Sequence, residues 1–176
     1  MKSSKAFMIE QLFFNSVISA GITFYLGRRA LAGIANIPLQ APADAPFAPN
    51  MAGDLIVGTF ITAVIVSLIV SLLTRLSIKK QSISMDSSFA ASPRWLAKLP
   101  QNIVLSALSI AGLASLTLGV MSVLLLVMLG VSEADAELYN YLHAIYVGLV
   151  VIVVAYAAVT KVFLSETEGG RNNTLS

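Results

Sequence analysis

The chain is predicted to be an all-α, polytopic membrane protein, folded as a four-helix transmembrane bundle. Three observations carry that prediction. Residues 101–132 hold no charged side chain between Lys98 and Glu133. A helix rises about 1.5 Å per residue and a bilayer core is about 30 Å thick, so about 20 apolar residues cross it and this run has length to spare. The composition is 57% hydrophobic and only 11% charged, with mean hydropathy +0.84, whereas soluble domains carry about 25% charged residues. Finally, charge-free runs recur, and basic residues close three of them. In lipid the backbone must satisfy its own hydrogen bonds, and continuous hydrophobicity without period-two alternation selects helices over a closed barrel.

Residues 1–176 are expected to form a single membrane domain, with helices at approximately 8–28, 55–75, 102–130 and 138–161. The first follows the basic start Lys2 and Lys5 and ends at Arg28 and Arg29. A cleaved signal peptide is the rival reading, because Ala30-Leu31-Ala32 resembles a cleavage site; the two arginines lying before that site favour a retained helix. Residues 30–54 carry Pro38, Pro42, Pro46 and Pro49 and are expected to be a solvated connector. Asp44 and Asp54 in it are potential partners of Arg28 or Arg29.

The second helix is free of charge over residues 55–74 and closes at Arg75, with Lys79 and Lys80 just beyond. The polar loop that follows ends in Pro93-Arg94-Trp95-Leu96-Ala97-Lys98-Leu99-Pro100, read as a short segment at the headgroup level. The third helix is expected to start after Pro100 with Asn102 near its cap. An acidic turn, Glu133, Asp135 and Glu137, leads to the fourth, which Lys161 closes. Trp95, Tyr139, Tyr141 and Tyr146 are the expected membrane-interface anchors. The tail, residues 165–176, is expected to be disordered.

Lys2, Lys5, Arg75, Lys79, Lys80, Arg94, Lys98, Lys161 and Arg171 fall on one side of this topology, and only Arg28 and Arg29 on the other. The positive-inside rule then places both termini and the 76–101 loop in the cytoplasm, and a bacterial inner (plasma) membrane is the expected location. Residues 15–20 (Asn-Ser-Val-Ile-Ser-Ala) also match residues 102–107 (Asn-Ile-Val-Leu-Ser-Ala), and Thr74-Arg75 matches Thr160-Lys161. That raises the hypothesis of two duplicated helical hairpins related by an axis along the membrane normal.

Several functions are disfavoured. There is no cysteine, which removes thiol chemistry, and the single His143 cannot hold a haem from both sides. The net charge of +2 is dispersed along loop ends rather than gathered into a nucleic-acid stripe. No hydrolase triad order or phosphate loop is present. No catalytic, cofactor-binding or metal-ligating residue is assigned; His143 with Glu133, Asp135 and Glu137 supplies side chains suited to a divalent cation, but their spacing matches no metal motif.

Two sets of residues remain. Ala107, Ala111, Ser115 and Gly119 share one helix face, with Ala144 and Gly148 forming a similar patch, and small residues let membrane helices approach closely. Glu10 and Asn15 are the polar pair of the first helix, where an intramembrane carboxylate is a candidate transport group. The expected function is a non-enzymatic helix-packing or interaction subunit, or a homo-oligomer, whose partners are the lipid bilayer and itself or another membrane protein. The alternative is a small transporter or channel with a polar path along the first helix.

Overall fold

The computed structural model describes residues 2–84 and 93–173. Helix α1 (Ser4–Ala30) starts where the Ser3 hydroxyl accepts the Ala6 N–H at 3.2 Å. Helix α2 (Met51–Lys79) starts where the Asn50 side-chain oxygen accepts the Gly53 N–H at 2.7 Å. A single turn, α3 (Arg94–Ala97), precedes α4 (Ile103–Met128). The Asn102 side-chain oxygen caps α4 by accepting the N–H groups of Val104 and Leu105 at 2.9 and 3.2 Å. Helix α5 (Ala136–Asn173) completes the chain, its first turn held by the Asp135 carboxylate accepting the Leu138 N–H at 2.8 Å. Each cap satisfies N–H groups that the first turn of a helix leaves without a partner. Four of these helices are long and apolar enough to span a bilayer, and the chain is a multi-pass, all-α membrane protein.

The helix limits depart from expectation in two places. Helix α2 begins at Met51, so Asp54 belongs to a helix and not to the connector. Helix α5 continues past Lys161 to Asn173, so the tail expected to be disordered from 165 is helical that far; residues 174–176 lie outside the described residues, as do residues 85–92 of the central loop. Lys161 ends the apolar run but nothing in residues 162–168 breaks a helix. Ser165 and Thr167 donate back to carbonyls of the preceding turn.

Short strand pairs tie the two ends of the bundle. At one end β1 (Lys2–Ser3) lies parallel to β3 (Ile83–Ser84). At the other, β2 (Asn36–Pro38) runs antiparallel to β4 (Glu133–Asp135), with Ile37 opposite Ala134. Ile37 is fully buried, and with Leu39, Met51, Ala136 and Tyr139 it forms a small second core. The Pro-rich connector is therefore anchored into the fold and does not merely loop through solvent.

The apolar run 101–132, the most conspicuous in the sequence, is not the central element. That place belongs to α5, whose membrane window is 72% buried, against 28% for α4 and 11% for α1. Val151, Val154, Ala155, Ala158 and Val159 are sealed inside it. Helix α1 packs on one side of α5, while α2 and α4 pack together on the other.

The small residues supply these seams. Ala107, Ala111 and Ser115 are buried on α4, and Gly119 abuts α2 so closely that a Cβ there would stand 2.5 Å from the Leu55 carbonyl oxygen. Ala144 and Gly148 of α5 face α1, where the Ser16 hydroxyl donates to the Gly148 carbonyl at 2.9 Å. One turn from the end of that seam, the Asn140 amide donates to the Phe24 carbonyl at 3.1 Å and its oxygen fills the space left by Gly27. The sequence match between residues 15–20 and 102–107 does not align equivalent places: Asn102 caps its helix, whereas Asn15 lies three turns inside α1. The cap of α1 is Ser3.

Candidate functional site

A group of polar side chains from two membrane spans collects where α2 and α5 meet near the β2–β4 end. Tyr139, His143 and Tyr146 are spaced by four and three along α5, so they share one face, which is turned toward α2. Opposite them stand Asp54 and Thr59. Five residues along a regular α-helix amount to a rotation of about 140° past a full turn, which would point these two apart. The segment Asp54–Gly58 is instead a π-helical turn, whose i→i+5 hydrogen bonds bring residues five apart nearly into line.

The geometry follows from that turn. Asp54 Oδ2 accepts the Tyr139 hydroxyl at 3.3 Å and lies 4.0 Å from His143 Nδ1. The His143 ring stacks on Tyr139 with centroids 5.3 Å apart and lies 6.3 Å from that of Tyr146. The hydroxyls of Tyr146 and Thr59 share a hydrogen bond at 2.9 Å. His143 Nε2 is buried without a hydrogen-bond partner. A cleft of about 350 Å³ opens beside this group, between the end of α1 and the connector residues Phe47 and Pro49, and Asp54 and His143 form part of its wall.

A second π-helical turn, Ser115–Gly119 in α4, packs against the first. The Ser115 hydroxyl donates to the Ile56 carbonyl at 2.8 Å, and Gly119 allows the neighbouring Leu55 carbonyl to approach. A π-turn disturbs the regular helical ladder, and in lipid its carbonyls need partners. Ser115 of the α4 turn supplies such a partner to the α2 turn.

No protein-family model, curated protein or solved structure matches this chain. The chemistry of the cluster therefore has to be read from its own side chains. It offers one carboxylate, one imidazole, two phenols and the Thr59 hydroxyl, and among the described residues no three His, Asp or Glu side chains converge as metal ligands. His143 faces Asp54, not the acidic turn that sequence spacing set beside it.

The remaining sequence candidates are placed as follows. Glu10 pairs with Lys2 at 2.6 Å near the start of α1, and Asn15 donates within its own helix to the Gln11 carbonyl at 2.7 Å. Neither residue belongs to the polar cluster. Tyr139 and Tyr146, expected as interface anchors, turn inward, because their hydroxyls find Asp54 and Thr59 across the helix pair. Tyr141 and Trp95 are half-exposed, as anchors would be, and the Tyr141 ring packs 5.0 Å from Phe24. Arg29 lies over the Tyr25 ring at 5.0 Å, and among the described residues neither it nor Arg28 forms an ion pair with Asp44 or Asp54.

The cluster stops at Thr59 and Tyr146. Below it the α2–α5 interface is closed by buried Ala63, Val66 and Val70 against Val147, Val150, Val151 and Val154. At the far end polar groups return in another role. Lys161, almost fully buried, donates from Nζ to the Leu99 and Ala97 carbonyls at 2.8 and 3.4 Å, and Arg75 donates to the Gln101 carbonyl at 3.2 Å. The basic residues that close the apolar runs thus also hold the connector into α4.

Proposed function

We propose that this protein is a non-enzymatic membrane subunit that works through helix–helix contacts, either as a homo-oligomer or as an accessory component of a larger complex. The observation that carries the reading is the exposure of α1. Among the helices it rests substantially on α5 alone, through Ser16, Ala20 and Gly27, and it turns Phe13, Phe14, Val17, Ile18 and Ile22 outward. Since the small-residue seams are used within the chain, a neighbouring membrane helix would meet this broad aromatic and aliphatic face. Van der Waals packing of that kind drives association where lipid removes most of the hydrophobic effect between helices.

The alternative, a transporter or channel with a path along α1, has less support. Glu10 and Asn15 are satisfied locally, and an apolar plug separates the Asp54 cluster from the opposite end of the bundle. We propose further, on the basic-residue bias, that both termini and the 76–101 loop face the cytoplasm, and that the membrane is a bacterial inner membrane. The test is extraction of the full-length protein from its native membrane in mild detergent, followed by mass and composition of what accompanies it. We expect a discrete oligomer or a reproducible heteromeric complex that Phe13→Ser with Phe14→Ser disrupts; a monomer with no companion would overturn the reading.

A further inference from the structure

We propose that the cleft beside Asp54 binds an ammonium group carried on an apolar body. The carboxylate is the reason for a cation. One of its oxygens is held by Tyr139, while Oδ1 has no hydrogen-bond partner among the described residues, and the side chain is 44% exposed. No Lys or Arg among the described residues lies within 4.0 Å of it, and Arg29 is occupied with Tyr25. An anionic oxygen at the wall of a mostly apolar cavity is satisfied only weakly by its surroundings, and a cation restores the balance.

The rest of the wall explains the apolar body. Leu26, Phe47, Pro49 and Tyr139 line the cleft together with the polar Thr23 and Asn140, and Phe47 is 99% exposed. Aromatic faces attract ammonium groups, so Phe47 and Tyr139 are suited to flank the charge that Asp54 holds. A volume of about 350 Å³ admits a small amphiphile and greatly exceeds what a bare metal ion requires. Asp54 is the one carboxylate in the cleft wall, the other side-chain oxygens being the neutral ones of Thr23, Tyr139 and Asn140, so the site is poor in the anionic ligands that a hard divalent cation favours. The ammonium could be supplied by a free amphiphilic amine or by the headgroup of an aminophospholipid, since the chemistry recognised is the same.

The test is titration of benzyltrimethylammonium into the full-length protein in dodecyl maltoside, which carries no ammonium, followed by calorimetry. Saturable binding is expected, with benzenesulfonate, an anion of similar size, failing to bind. Asp54→Asn should weaken binding about tenfold or more, the loss of roughly one strong charge contact. Phe47→Ala, at an exposed position that folding does not depend on, should weaken it about two- to five-fold. Glu10→Gln, which alters a carboxylate elsewhere, should leave it unchanged. Repeating the titration with phosphatidylethanolamine added separates the sources: competition identifies a lipid headgroup as the occupant, and its absence identifies a free amine. No saturable binding, equal binding of benzenesulfonate, or wild-type affinity in both Asp54→Asn and Phe47→Ala would each overturn the proposal.

Discussion

Gly119 leaves no room for a side chain in the α2–α4 contact. A methyl group there would meet the backbone of Leu55, which cannot swing aside as a flexible side chain could. Gly119→Ala is expected to cost about 1–3 kcal/mol, the usual range for overpacking, read as a lower midpoint of thermal or detergent-induced unfolding. Ser115→Ala leaves the Ile56 carbonyl without its hydroxyl donor and should cost about 1 kcal/mol by the same measurement. By contrast, Asn15→Ala and Glu10→Gln should each change stability by less than about 1 kcal/mol, because one bonds its own helix and the other is an exposed ion pair. A large loss from either would mean that α1 carries a buried polar network after all. His143 adds a pH dependence to the proposed cation site. Facing it are Asp54 from α2 and Tyr139 and Tyr146 from its own helix, while the α1 residues lining the cleft are not ionisable. Protonating the imidazole places a positive charge 4.0 Å from Asp54, so cation affinity should hold at neutral pH and fall only as the pH drops below about 6.5, and His143→Gln should flatten that fall.

At the level of elements, the α1–α5 seam can be tested without ambiguity because the chain has no cysteine of its own. A Cβ at Gly148 would lie 3.4 Å from that of Ala20, close to the separation a disulfide spans. Ala20→Cys with Gly148→Cys should therefore cross-link under mild oxidation and migrate faster on a non-reducing gel, whereas Phe13→Cys with Gly148→Cys should not. The small residues of this seam were legible in the sequence, since spacing by four marks a face whatever its partner. The partner was not legible. Ser16 meets Gly148 across 132 residues of chain, and no local pattern states which of three other helices a stripe will choose. The π-turns were hidden for a related reason: a shift from four- to five-residue hydrogen bonding leaves hydropathy unchanged while rotating every side chain beyond it. The early start of α2 at Met51 took Asp54 out of the expected loop, and the π-turn brought it onto the same side as Thr59.

For the whole molecule, α5 acts as the post on which the other helices are hung, so its disruption should be less local than that of α1. Lys161→Met removes the donor to the Leu99 and Ala97 carbonyls at the base of that post. We expect a loss of about 1–3 kcal/mol, the cost of leaving buried acceptors unpaired, seen as a lower unfolding midpoint. The overall orientation is testable by labelling with a membrane-impermeant maleimide. Ala45→Cys should react in intact spheroplasts and Gln81→Cys only after permeabilisation; the reverse would invert the proposed topology.

The sequence by itself determined that four helices are long and apolar enough to cross a membrane, and roughly where each apolar run begins and ends. Lipid enforces that result residue by residue, since an apolar run long enough to cross has no other way to satisfy its backbone. Tertiary structure alone decided that α5 and not the longest apolar run is central, that Tyr139 and Tyr146 turn inward, and that Asp54 stands beside His143. Those outcomes depend on hydrogen bonds between residues 85 or more positions apart and on a change of helical pitch. Neither alters the local balance of apolar and charged residues from which the spans were read.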